Sequence, residues 1–198
     1  MNLAKYILTI IKLEVILTIK KLLSRKIKVI YEKGEQTSTP QWMKWKMKEL
    51  MECGKPESLS NTRTVVLQKY HYEYAAKVHR EIIKEIKYVK DEAEDNWKTS
   101  CQTWSDKFGD CEDQAILIWR KLIKYGFPQE RTYIVIIEGH AFAAFEPDNN
   151  DKDFYILDNG SISLIMTLAS EILPYLHKTP LYGFNYNSFW TINTTEIK

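Results

Sequence analysis

The sequence predicts an α+β protein, and two observations carry that reading. Apolar residues recur at helical spacing in three stretches up to residue 125, and short runs rich in β-branched and aromatic residues follow from residue 133. Helices gathered early and strands late suit an α+β plan better than an alternating parallel-sheet fold. With 198 residues, 44% of them hydrophobic and 27% charged, the chain has the balance of a globular protein with one ordinary core. That balance excludes wholesale disorder and fibrous repeats.

Each element has its own signal. Residues 31–40 and 53–63 are rich in turn formers and read as loops. Between them, residues 41–51 carry Trp42, Met43, Trp45, Met47 and Leu50 at helical spacing, the mark of a core-facing stripe. Residues 64–89 predict a long amphipathic helix through Val66, Leu67, Tyr70, Tyr74, Val78, Ile82 and Ile86. Residues 110–125 predict another, with Ala115, Ile116, Trp119, Leu122 and Ile123 as its stripe and Gly126 and Pro128 as its stop. Strands are expected at 133–137, 141–145 and 154–157, a helical stretch at 163–177, and a closing aromatic strand at 182–192.

The charge is nearly balanced overall, at +2, but unevenly placed. Residues 1–99 hold 20 Lys/Arg and 13 Asp/Glu, whereas residues 100–198 hold 8 and 13. So small a total excludes a dedicated nucleic-acid binder; the basic start suits a solvated surface, or weak contact with an anionic surface. The apolar stretch 6–23 is broken by Lys12 and Glu14, too short between charges for a spanning helix, and no small-residue cleavage site follows it. It is expected to pack amphipathically, within a basic, largely helical N-terminal extension over residues 1–63 ahead of a catalytic domain over 64–198. With no convincing export signal, the default compartment is cytoplasmic.

Three cysteines, Cys53, Cys101 and Cys111, are too few for a disulfide framework, and their odd number leaves at least one thiol free. Cys53 and Cys101 lack the spacing of zinc ligands and read as bystander thiols. Cys111 differs. It opens the helix expected at 110–125, where unpaired N–H groups and the helix dipole favour a thiolate. Asp110 is a suitable N-cap, and Asp113 three residues on completes a box-like pattern. His140 follows Gly139 at a strand start, and Asp158 ends a strand in Leu157-Asp158-Asn159-Gly160. If those strands are antiparallel neighbours, Cys111, His140 and Asp158 can serve as nucleophile, base and orienting acid.

The strings Gly109-Asp110-Cys111-Glu112-Asp113-Gln114-Ala115, Gly139-His140 and Leu157-Asp158-Asn159 resemble the transglutaminase-like superfamily. Trp97, the 86–91 segment and the tail Pro180-Leu181-Tyr182-Gly183-Phe184-Asn185 with Trp190 resemble its bacterial transglutaminase-like cysteine proteinase branch, over about residues 65–192. The resemblance implies a papain/transglutaminase-like core: a catalytic helix packed on an antiparallel sheet. It also implies a thiol peptidase acting on a protein or peptide through Cys111, His140 and Asp158. Gln102, standing where the family has Glu, is a candidate oxyanion donor beside the Cys111 backbone N–H. Ser100 replaces the family's Pro. The family's habit would place the chain in the periplasm.

Asp110, Glu112 and Asp113 should push a neighbouring thiol up by like-charge repulsion, which a bound cation would relieve. The resemblance implies calcium on Asp110 and Glu112, with Asp113 a third candidate, and oxygen-only ligands suit that ion. The chemistry itself needs no cofactor. Two other functions fit the same residues: acyl transfer or amidase chemistry on the same triad, and a binding module that keeps the fold without catalysis. His71, His79 and His177 show no catalytic pattern and read as packing or surface residues; aromatic residues near Trp97 and Trp104 are expected to line a cleft.

Overall fold

The structure, a computed structural model, describes residues 28–57, 71–92, 96–147, 153–159, 165–176 and 178–197. Its frame is a seven-stranded antiparallel sheet in the order β1-β9-β8-β4-β5-β6-β7. The strands are β1 (Lys28–Gln36), β4 (Thr132–Ile137), β5 (His140–Phe145), β6 (Tyr155–Leu157), β7 (Ile165–Leu168), β8 (Pro180–Phe184) and β9 (Phe189–Ile197). Two short parallel strands, β2 (Lys87–Tyr88) and β3 (Phe108–Gly109), pair separately. The helices are α1 (Pro40–Cys53), α2 (His71–Glu85), α3 (Ser100–Asp106), α4 (Cys111–Lys124) and the short α5 (Ala169–Ile172).

Both faces of the sheet centre are covered, which explains the unbroken apolar runs of β4 and β5. Tyr133, Val135 and Ile137 share one core cluster with Phe142, Ile156, Trp190 and the α5 residues Ala169 and Ile172. Ile134, one residue out of phase, packs with Trp119 and Ile116 of α4 and with Trp42 and Trp45 of α1. Ala143 and Phe145 of β5 meet Val78 and Ile82 of α2 and Leu117, Ile118 and Leu122 of α4. Helix α4 is thus pressed against the middle of the sheet, and its first residue, Cys111, lies near the turn between β4 and β5.

Several expectations are corrected. The loop expected over 31–40 is largely strand: β1 runs through most of it, pairing with β9 from Lys28↔Ile197 to Lys33↔Ile192. Cross-strand backbone bonds outweigh the weak local propensity there. The irregularity between Lys33 and Gln36 holds Gly34, where a Cβ would collide with the Thr191 and Asn193 side chains. In α1 the buried face is Trp42, Trp45 and Glu49, while Met43, Met47 and Leu50 are exposed. Two apolar stripes run along that helix, and the bulkier tryptophans take the core. The helix expected over 64–89 ends at Glu85, and Tyr88 enters β2. The start of 163–177 is strand β7, because Tyr155 and Ile156 pair with Leu168 and Thr167. The single strand expected at 182–192 is the β8–β9 hairpin, turned where Asn185 Oδ1 accepts the N–H groups of Asn187 and Ser188, both at 2.9 Å.

Cys53 and Cys101 are not bystander thiols: they form a disulfide between α1 and α3, with Cα atoms 5.8 Å apart. Cys111 is free. Residues 6–23, Val66, Leu67, Tyr70 and His177 lie outside the described residues, as does position 63, where the extension is expected to end. Among the described residues no helix is long and apolar enough to cross a membrane.

Candidate active site

Three local devices bring the candidate residues together. The first is the start of α4. Asp110 occupies the N-cap position in extended conformation, so the chain turns into the helix at Cys111. Asp113, buried in the first turn, accepts the Lys98 N–H at 2.8 Å, tying the loop after Trp97 to the helix start. Gly109 is required by that contact: a Cβ there would lie 2.6 Å from Asp113 Cβ. The expected capping box is not formed, since Asp110 makes no side-chain cap bond and Asp113 turns to Lys98.

The second device is the two-residue turn between β4 and β5. Gly139 takes φ 68°, a conformation that favours glycine, and the turn sets Ile137 opposite His140. The third is the end of β6, which pairs with β5 through Ala143↔Leu157. Asp158 follows directly and reaches back to His140, with Nε2 and Oδ1 2.7 Å apart.

Cys111 and His140 line one cleft of about 580 Å³, with Asp110, Glu112, Trp97 and Tyr182. Asn159, next to the acid, donates from Nδ2 to the Cys111 carbonyl at 2.5 Å. One short segment therefore touches both the imidazole and the thiol's backbone. The Cys111 thiol donates to Glu112 Oε2 at 3.0 Å. Burial first, then this bond and the Glu112 charge, push the thiol up to about 12; the Ala141 backbone N–H pulls the other way. Of the carboxylates anticipated to push the thiol up, Glu112 and Asp110 do so, after burial, and Asp113 is not among the causes.

Burial also raises the carboxyl of Asp110, and pushes that of Asp113 up to about 7. Asp110 Oδ1 is buried with no hydrogen-bond partner among the described residues, and Glu112 interacts with the same carboxylate. Two oxygen donors, one of them orphaned, fit a hard cation. Asp113 gives Oδ1 to Lys98, while its Oδ2 is buried with no hydrogen-bond partner among the described residues, and among those residues no group of three His, Cys, Asp or Glu side chains is gathered for a metal. Further ligands would have to be backbone carbonyls or water.

The profile of the family described as bacterial transglutaminase-like cysteine proteinase matches residues 33–178. The chain belongs to that family. Its fold is that of Legionella pneumophila LapG. The calcium-bound LapG structure matches with TM-score 0.54 and 23% identity, over 64% of this chain and 71% of that one. A second LapG structure matches at 0.53 and 20% over 90% and 86%, and an EGTA-treated one at 0.53 and 19% over 90% and 84%. No curated protein is similar enough in sequence to count as a match. The papain/transglutaminase-like fold expected from the sequence is present, with helix α4 packed against an antiparallel sheet.

Other candidates sit elsewhere. Gln102 does not reach the cleft. Its Oε1 accepts the Thr99 N–H in the α3 capping box, and its Nε2 donates to Glu52 Oε1 at 3.1 Å. A glutamine three residues after a threonine is a capping signature, and that use displaces the oxyanion assignment. Trp97 lines the cleft, whereas Trp104 lies under the ammonium groups of Lys107 and Lys121. His71 opens α2.

His79 has a larger role than its sequence pattern suggests. It is 1% exposed, and its Nε2 bonds the backbone carbonyl of Asp158. A carbonyl only accepts, so Nε2 carries the proton, while Nδ1 is buried without a partner among the described residues. Burial, the largest influence, holds His79 below the usual imidazole range. Its one signal in the sequence is a position on the apolar face, directly after Val78. A second residue missed is Glu49, fully buried, accepting from Ser100 N at 2.9 Å, Ser100 Oγ at 2.6 Å and Arg120 at 3.2 Å.

Proposed function

We propose that the protein is a thiol peptidase that cleaves a protein or peptide through Cys111, His140 and Asp158. The observation that carries this reading is the 2.7 Å contact of His140 Nε2 with Asp158 at the rim of the cleft that Cys111 also lines. Asp158 takes up Nε2–H, which leaves Nδ1 to accept the thiol proton. The thiolate adds to the scissile carbonyl, and the backbone N–H groups at the start of α4 supply donors for the oxyanion. His140 then returns the proton to the departing amine, leaving an acyl-enzyme that water hydrolyses with His140 again as base.

Asp110 and Glu112 would hold calcium, the ion in one of the LapG structures. Bound there, it would neutralise the carboxylates that push the Cys111 thiol up. The family membership and the cleft support hydrolysis; a transglutaminase-type transfer would use the same acyl-enzyme with an amine in place of water.

The test is digestion of a denatured protein mixture with calcium, read by mass spectrometry, with and without excess methylamine. Free carboxyl ends at new cut sites support hydrolysis, and methylamide ends support transfer. Persistence of the same cuts with Cys111→Ala would overturn the thiol mechanism. Chelation should reduce cutting and calcium should restore it; indifference to both would remove the ion from the proposal.

A further inference from the structure

A second cavity, of about 340 Å³, adjoins the catalytic cleft, because Trp97 lines both. Trp45 and Trp97 form its apolar wall, buried to 1% and 4% exposure. Trp97 is held in place by stacking on Phe184, ring centroids 4.7 Å apart and planes within 7°. The polar side comes from α1, where Lys44 and Lys48 line the cavity. Four residues apart on a helix, the two share one face. Among the described residues neither ammonium has a carboxylate within ion-pair distance. Lys46, between them in sequence, is used differently: its Nζ stands over the rings of Trp42 and Tyr186.

The two cavities have opposite signs. The catalytic cleft is lined by Asp91, Glu92, Asp110 and Glu112 against Lys90, whereas the neighbouring cavity offers Lys44 and Lys48 and, among the described residues, no acid. A peptide lying across Trp97 therefore passes from a negative region to a positive one.

We propose that the Lys44–Lys48 cavity is a substrate subsite that takes an Asp or Glu side chain of the peptide being cut. The inference rests on the peptidase reading of the cleft. The acid's methylene groups lie against Trp45 and Trp97, and its carboxylate is met by the two ammonium groups. Because Trp97 lines both cavities, the acidic position falls close to the scissile bond. Two partly solvated charge contacts give roughly a three- to tenfold preference for the acid over its amide.

Digestion of a proteome-derived peptide library with the full chain and calcium tests this. Cut sites should be enriched in Asp or Glu at one fixed position near the bond. Lys44→Glu/Lys48→Glu should abolish that enrichment or turn it to Lys and Arg, with unchanged circular dichroism. Cuts that require Cys111 but show no acidic preference, or the same preference in the double variant, overturn the subsite and leave the peptidase reading standing. A second measurement does not need turnover. Immobilised Cys111→Ala protein is offered two hexapeptide pools that differ only in Glu against Gln at each position in turn. The Glu pool should be retained about three- to tenfold better, and the double variant should erase the difference. Equal retention, or retention of neither pool, overturns the proposal.

Discussion

Arg120 lies on helix α4, and its removal should be among the most damaging single changes in the chain. Its Nη1 donates to Glu49 at 3.2 Å, while other bonds reach the carbonyls of Cys53, Gly54 and Lys55 at the end of α1, at 2.8–3.2 Å. Those carbonyls are at or near the surface, so water replaces the guanidinium there at little cost. Glu49 is different, because its side chain is fully buried. Among the described residues, Arg120→Met leaves that carboxylate with only the N–H and hydroxyl of Ser100. Stripping one partner from a buried pair costs about 3–5 kcal/mol, a fall in Tm of roughly 6–20 °C for a chain of this size. Glu49→Gln/Arg120→Met removes both charges while an amide oxygen still accepts from Ser100. The double variant should therefore lose less than Arg120→Met alone, with a coupling above about 1 kcal/mol. Urea unfolding followed by tryptophan fluorescence measures all three. A single variant within about 1 kcal/mol of wild type, or strictly additive losses, would refute the reasoning.

Other predictions concern residues that hold the site. His79→Leu removes the imidazole that holds the Asp158 backbone carbonyl, so kcat should fall about tenfold or more with KM little changed, and His79→Gln should recover most of the loss; equal activity of His79→Leu and wild type well below Tm would contradict this. Because burial holds His79 below its ordinary value of 6.5, the unfolded chain binds its proton at higher pH than the folded one. Stability should then drop as the pH falls below about 6.5, and His79→Gln should flatten that dependence in urea titrations from pH 7.5 to 5. The Cys53–Cys101 disulfide closes a loop with a separation of 48 residues, which corresponds to about 4 kcal/mol in the chain-entropy treatment. Cys53→Ser/Cys101→Ser should lower stability by up to that amount while the Cys111 thiol stays reactive, and an unchanged midpoint in non-reducing urea would show that the link contributes nothing.

Sequence and structure agree where local rules are sufficient. The start of α4 is readable from Gly109 and Asp110 before an apolar stripe, and the β4–β5 turn from Gly139 between a β-branched run and a run of Ala and Phe. Once β5 and β6 are neighbours, the facing of His140 and Asp158 follows from strand alternation. What escaped depends on contacts remote in sequence. Glu49 looks like one more surface acid until Arg120, 71 residues on, and Ser100 surround it. Gln102 carries two compatible local readings, and Glu52 together with Thr99 decides between them. Strand β1 has a polar, glycine-containing sequence and exists because β9 offers it partners. His79 acquires its place only when α2 packs beneath the end of β6.

The most direct test of the site is the reactivity of the Cys111 thiol. Iodoacetamide labelling of the native protein with calcium, followed by peptide mapping, should modify Cys111 selectively and abolish peptide cutting in step with the modification. His140→Ala should slow both together. Cutting that survives complete modification of Cys111, or that persists undiminished in Cys111→Ala, would contradict a thiol mechanism at this site.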